Sequence, residues 1–276
     1  MDRANPSDSL IREMQRRRYS DRTIETYVGC LERFLTWCKK PVNTITKKDI
    51  RLYLEEYSKN GKAGNTMNVI LMALKFYFEQ CLGRKIWIDI KYSKIPEKMQ
   101  RVLTKEEVWK LLGKIENWKH RLMIELMYSA GLRVSEVVNL KVRDLALDKG
   151  FGFVRNGKGR KDRIFVLARV VKEKLGNLIE IEKLTSESYV FVSNRGEKYN
   201  IRSLQEIVKR ASKKAGLGGV HPHTLRHSFA THLIENDYSL TDVQASLGHK
   251  SPETSMIYVH MASPKIMGIK SPFEKK

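Results

Sequence analysis

The chain has 276 residues, enough for one large or two modest domains, each with its own core. Its 52 lysines and arginines outweigh 31 acidic residues, for a net charge of +21 spread along the whole length and not gathered in a tail. That distribution argues against a disordered cationic arm and for a folded protein with a basic surface, so nucleic acid is the first partner to consider.

The cysteines are Cys30, Cys38 and Cys81. None lies in a C-x-x-C pair and their number is odd, so a disulfide framework is not expected. Each falls on the apolar side of a helical pattern, which suits a reducing compartment. No apolar run is long enough to span a membrane, and Met1 to Ser20 has no signal-peptide core. The expectation is a soluble, cytoplasmic protein.

The N-terminal third reads as helices. Leu10, Ile11 and Met14 mark a short one that ends in Arg16-Arg17-Arg18. After Ser20, an expected N-cap, Ile24, Tyr27, Val28, Leu31, Phe34, Leu35 and Cys38 form a sustained stripe at i, i+3, i+4 spacing. Thr46 and Asp49 resemble a capping box, opening a helix faced by Ile50, Tyr53, Leu54 and Tyr57. A turn over Gly61 to Asn65 then leads to Met67, Ile70, Leu71, Leu74, Phe78 and Cys81. The aromatics of this all-α domain are read as core.

From Lys91 to Arg101 the periodicity fails around Pro96, and this basic stretch is read as a linker. A second domain opens at Leu103, where Thr104 and Glu107 form a capping box and Leu103 and Val108 a hydrophobic staple. A helix over Arg121–Tyr128 ends at Gly131, a suitable C-cap, and G-L-R-V-S-E starts the next with Arg133 at its beginning. Phe151 to Leu167 changes period: two β-rich runs flank Asn156 to Lys161, a hairpin with a basic tip. Tyr189 to Val192 is expected to be a further strand. Ile201 to Ala215 is helical again, and Gly216 to Gly219 breaks it. No internal repeat or low-complexity segment is found.

The stretch from His221 to His260 carries the chemistry. His223 and Arg226 lie three residues apart at the start of a helical pattern and share a face; His249 in L-G-H and Tyr258 follow. Arginine matches phosphate oxygens with a planar fork of donors, and tyrosine serves as a covalent nucleophile. A phosphodiester attacked by tyrosine passes through a phosphorane with added negative charge, for which Arg133 and Arg226 are the best-placed stabilisers. His223, His249 and Lys158 are candidates for moving protons, with Lys161 a rival to Lys158. The phosphotyrosine conserves the bond energy, so another 5′-hydroxyl reverses the step without ATP. No metal and no cofactor are called for. His223 and His227 are i, i+4, but no cysteine is near and Glu235 lacks zinc-motif spacing, so His227 and His232 are read as packing or hydrogen-bonding residues.

The set G-L-R-V-S-E, G-K-G-R-K-D-R, H-P-H-T-L-R-H-S-F-A-T-H-L, L-G-H and T-S-M-I-Y resembles the tyrosine recombinase (phage integrase) family, most of all its Xer-type members. The resemblance implies a mainly α fold with a small β-hairpin or sheet, in two domains. A helical core-binding, SAM-like domain over 1–90 and a linker over 91–101 would precede a mixed α+β catalytic domain over 102–262 and a tail over 263–276. It implies that Arg133 is the first catalytic arginine, Lys158 the general acid, His223 and Arg226 the H-x-x-R pair, His249 a phosphate ligand and Tyr258 the nucleophile. Glu136 fits an acidic position read as structural. The expected activity is site-specific cleavage and rejoining of double-stranded DNA through a 3′-phosphotyrosyl intermediate, by a tetramer on paired sites, on the nucleoid. A type IB topoisomerase-like relaxase and a non-catalytic DNA-binding accessory protein are the alternatives. With so few residues before Ser20, the arm-site domain of larger integrases is not expected, and the tail is expected either to pack on its own domain or to pass to a neighbouring subunit.

Overall fold

A computed structural model describes residues 5–59, 64–84, 100–155, 162–193 and 196–247. The chain divides into two units, Met1–Lys98 and Met99–Lys276.

In the first unit each helix start has a local cause. Asn5 accepts from the Ser7 N–H at the start of α1 (Pro6–Arg16), where proline loses no hydrogen bond because that N–H has no helical partner anyway. Ser20 accepts from Thr23 N–H and opens α2 (Asp21–Cys38), whose stripe buries Ile24, Tyr27, Cys30, Leu31 and Phe34. Ahead of α3 (Lys47–Lys59), the Thr46 N–H and hydroxyl both donate to the Asp49 carboxylate at 2.8 Å. The Lys40 ammonium lies 2.5 Å from that carboxylate, and its hydrogen bond, with the Thr46 N–H, lowers the Asp49 pKa to about 2. The fourth helix, α4 (Gly64–Lys75), already includes Gly64 and Asn65, so the expected turn is displaced; 61–63 lie outside the described residues. It runs on into a π-helical turn, Phe76–Cys81, that the 3.6-residue pattern did not foretell. The core is aromatic. Phe34 meets Tyr53 and Phe78 edge-on, with centroids 5.2 and 6.4 Å apart. Cys30 is buried, Cys38 and Cys81 are partly so, and all are free thiols.

The second unit opens as the capping box requires. Thr104 Oγ1 accepts from Glu107 N–H at 3.2 Å and Glu107 accepts from Thr104 N–H at 3.0 Å, starting α5 (Lys105–Leu112) with Leu103 and Val108 buried. Next, α6 (Trp118–Ser129) ends through Ala130 into Gly131, whose φ of 59° is the left-handed conformation glycine adopts without strain. A short α7 (Val134–Val138) begins directly after Arg133. Then β1 (Leu145–Ala146), β2 (Phe151–Val154) and β3 (Arg163–Val166) form an antiparallel sheet in the order β1-β2-β3, with Phe151 opposite Val166 and Val154 opposite Arg163. The hairpin is as expected; β1 is an addition. Its tip, 156–161, lies outside the described residues. Gly152 has a packing reason: a Cβ there would sit 2.4 Å from the Phe165 ring.

Helix α8 (Arg169–Ile181) follows, burying Val171, Leu175 and Leu178. The strand expected over Tyr189–Val192 is corrected. The segment makes only isolated bridges, Lys141 to Tyr189 and Val192 to Lys198, and its apolar character comes from burial of Val190 and Phe191 as irregular core chain. Helices α9 (Ile201–Lys214), α10 (Pro222–Glu235) and α11 (Leu240–Leu247) complete the described part. Gly216 and Gly219, at φ 68° and 70°, make the break between α9 and α10. No helix among the described residues is long and apolar enough to cross a membrane. The expected linker, apart from Gln100 and Arg101, and the tail lie outside the described residues.

Candidate active site

Helix α10 starts at His221, whose Nδ1 accepts from Thr224 N–H at 3.3 Å while its own N–H donates to Thr224 Oγ1 at 3.2 Å. Pro222 fills the first helical position. This reciprocal cap fixes the first turn and with it His223 and Arg226. His223 is exposed, its ring centroid 6.3 Å from that of His221 and 6.4 Å from that of His227. Arg226 is only 3% exposed. Its Nη1 donates to the Gly131 carbonyl and its Nη2 to the Leu247 carbonyl at 2.6 Å. One guanidinium thus joins the α6–α7 turn to the end of α11.

Arg133 reaches the same place from the other side. It precedes α7, where its N–H donates to Glu136 Oε2 at 2.8 Å and its Nη1 to Glu136 Oε1 at 2.7 Å. Arg163, the first residue of β3, donates from Nη2 to Glu136 Oε2 at 2.8 Å. Arg226 Nη1 lies 4.0 Å from that oxygen. Arg133, Arg163 and Arg226 therefore surround one buried carboxylate. Burial is the largest influence on Glu136 and opposes its ionisation. The hydrogen bonds and charges of Arg163 and Arg133 together outweigh it and hold the pKa below the ordinary value. Three guanidinium groups around one carboxylate, held on rigid elements, suit an anion such as a phosphate.

Two other histidines of α10 have lowered pKa values. Burial, then the neighbouring His223, His221 and Arg226, lowers the His227 pKa to about 4. Burial also lowers that of His232, whose Nδ1 is hydrogen-bonded to the Tyr128 hydroxyl at 2.7 Å. His232 is a hydrogen-bonding core residue, as its position on the helix implies. Among the described residues, no group of histidine, cysteine, aspartate or glutamate side chains is arranged to hold a metal ion.

Of the residues picked out in the sequence, Arg133 and Arg226 come together around Glu136, and His223 lies one turn from Arg226 on α10. Lys158, its rival Lys161, His249 and Tyr258 lie outside the described residues. In sequence, Lys158 falls between β2 and β3, and His249 follows α11 by two residues. Sequence reasoning did not pick out Arg163 or the Gly131 carbonyl. The one available signal was that Arg163 ends the G-K-G-R-K-D-R motif.

Residues 101–264 match the phage integrase family, and residues 7–88 its N-terminal SAM-like domain. The chain is 35% identical over 248 residues to the tyrosine recombinase XerA of Pyrococcus horikoshii, covering 88% of this chain and 85% of the relative. It is 36% identical over 264 residues to a tyrosine recombinase of Thermosipho africanus, covering 89% and 91% respectively. Among solved structures, it resembles the XerH site-specific recombinase bound to a palindromic difH substrate, with a TM-score of 0.73, 27% identity, and coverage of 91% of this chain and 80% of that one. The family match spans the turn, sheet and helices that assemble the arginine cluster, and the chain belongs to the phage integrase family, the tyrosine recombinases, among members of the Xer type.

Proposed function

We propose that Tyr258 cuts one DNA strand at a specific site, forms a 3′-phosphotyrosyl link and passes that end to the 5′-hydroxyl of a partner duplex. As a member of this family the chain is a tyrosine site-specific recombinase. Its relatives and structural neighbours are recombinases, which does not favour a topoisomerase-like relaxase or an accessory protein.

In the proposed reaction Tyr258 Oη attacks phosphorus, and the bond to the 5′-oxygen breaks. Arg133 and Arg226 bind the non-bridging oxygens and stabilise the charge that develops there. Lys158 protonates the departing 5′-oxygen, His223 assists proton transfer, and His249 donates to the phosphate. The reading rests on one observation above all: two arginines from separate elements converge on the buried Glu136 carboxylate. We further propose a tetramer on two paired sites, with the tail over 263–276 exchanged between subunits, and a location on the nucleoid.

The test is a nicked duplex carrying a candidate host site, which loses a short fragment on cleavage and traps the adduct. A band of slower mobility on a denaturing gel, formed without divalent metal by the wild type and not by Tyr258→Phe, is the expected result. An equal band from Tyr258→Phe would overturn the assignment. Binding should also be steeply salt-dependent, because neutralising ~6–10 phosphates loses roughly 10³–10⁵ in affinity between about 50 and 200 mM salt.

A further inference from the structure

The arginine cluster holds one member that the proposed reaction leaves without a role. Arg163 is 9% exposed at its side chain, and its partner Glu136 is 6% exposed. A buried pair of this kind adds little net stability over apolar packing, because desolvation offsets most of the attraction. It does fix geometry. Arg163 is the first residue of β3 and lies opposite Val154, the last residue of β2. These two residues are the mouth of the connection that carries Lys158.

The other end of that mouth has a more exposed ion pair, with Arg155 54% exposed at its side chain. Arg155, directly after β2, donates from Nε to Asp144 Oδ1 at 2.7 Å, and Asp144 is buried. Asp144 is itself held by the Lys141 N–H at 3.2 Å. The two pins differ in what they attach to. Asp144 belongs to the turn leading into β1, whereas Glu136 is the carboxylate that orients Arg133 and lies 4.0 Å from Arg226. Of these two pins, it is Arg163 that ties the hairpin, through Glu136, to the arginines proposed to bind phosphate.

We propose that Arg163 is a positioning residue for strand cleavage: through Glu136 it registers the β2–β3 connection, and so Lys158, against Arg133 and Arg226. The inference rests on the reading of Lys158 as the general acid. A general acid must lie within hydrogen-bond reach of the leaving oxygen, and a misplacement of about 1 Å costs on the order of 10²-fold in rate. Loss of Arg163 would leave the arginines on Glu136 and free the hairpin to shift, which weakens proton donation more than charge stabilisation.

That distinction can be measured. The nicked duplex is made with oxygen or with sulfur at the 5′-bridging position of the scissile phosphate. A 5′-thiolate leaves without a proton, because thiols ionise near about pH 8.5 and alcohols far above it. Lys158→Ala serves as the benchmark: slow on oxygen and relieved by sulfur. Arg163→Gln should lose about 10²-fold in adduct formation on the oxygen substrate and return to near the wild-type rate on sulfur. Arg133→Gln should stay slow on both. Arg163→Lys, which keeps a charge for Glu136, should fall between Arg163→Gln and wild type with the same relief, and serves alone if Arg163→Gln does not fold.

An equal loss on both substrates for the Arg163 variants, or no loss on oxygen, overturns this inference and leaves the proposed function standing. A Lys158→Ala defect that sulfur does not relieve overturns the general-acid assignment and the inference with it. A wild type that forms no adduct on either substrate, at a site it footprints, overturns the reading of the chain as a strand-cleaving enzyme.

Discussion

Helices α9 and α10 have the same length, 14 residues each, and are built on opposite plans. In α9 the buried side is Leu204, Val208 and Ala211 with Ser212, and the rest is mostly polar, as expected of a helix that covers a core. In α10 the buried residues are Pro222, Thr224, Leu225, Arg226, Ser228, Ala230, Thr231 and His232, with no single apolar stripe. Its polar groups bond to the chain around it. Ser228 Oγ accepts from Leu103 N–H at 2.8 Å, Arg226 donates to the Gly131 and Leu247 carbonyls, and His232 meets Tyr128. One helix is held by area and the other by directed bonds. Helix α10 departs from the amphipathic rule; most of its buried polar groups are satisfied by directed bonds, with the Thr231 hydroxyl an exception, and it carries His223 and Arg226 of the proposed site.

The comparison breaks most sharply at Arg226. Arg226→Ala removes a proposed phosphate ligand and the donor to two buried carbonyls, so single-turnover cleavage should fall by more than about 10³-fold. Replacing Leu204 in α9 with alanine should instead cost roughly 2–5 kcal/mol in urea unfolding, with cleavage per folded molecule unchanged. If the Leu204 variant lost catalysis while remaining folded, the division between covering helix and chemical helix would be wrong. Ser228→Ala deprives the buried Leu103 N–H of its acceptor and the Thr224 carbonyl of a donor, and should cost about 1–3 kcal/mol, a loss set by directed bonds and not by area.

A smaller effect comes from the histidines of α10. The His227 pKa is lowered from 6.5 to about 4 in the folded chain, by burial first and then by His223, His221 and Arg226. Between those pH values the unfolded chain binds the proton and the folded chain does not, so stability is complete above about pH 6.5 and declines as pH falls toward about 4. His232 and His120, both lowered chiefly by burial, act with the same sign. Melting temperature should therefore drop between pH 7 and 5, and His227→Gln should flatten that slope; an unchanged slope would remove His227 from the account.

The parts legible from sequence are those with local causes. Ser20, the Thr104–Glu107 box and the α2 stripe mark their elements because partners lie within a few residues. Gly131 was legible as a helix end, but not as the carbonyl that receives Arg226 from a site 95 residues away. Arg163 escaped for the same reason, its carboxylate lying 27 residues earlier. Helix α8 carries a regular stripe, yet Ala168 makes no side-chain cap and just two residues separate the helix from β3, so no local signal announced it. Tyr189–Val192 read as a strand because a buried apolar run looks alike in a sheet and in irregular core chain. The π-helical turn at Phe76–Cys81 changes period without any glycine or proline to mark it.

If this arginine cluster serves a tyrosine nucleophile, the residue that carries the DNA after cleavage is Tyr258, and that residue can be identified. The adduct trapped on the nicked duplex would be digested with nuclease and trypsin and its modified peptide sequenced by mass spectrometry. A nucleotide attached through its 3′-phosphate to Tyr258 is the predicted result. Attachment to a serine, a histidine or another tyrosine would contradict the account.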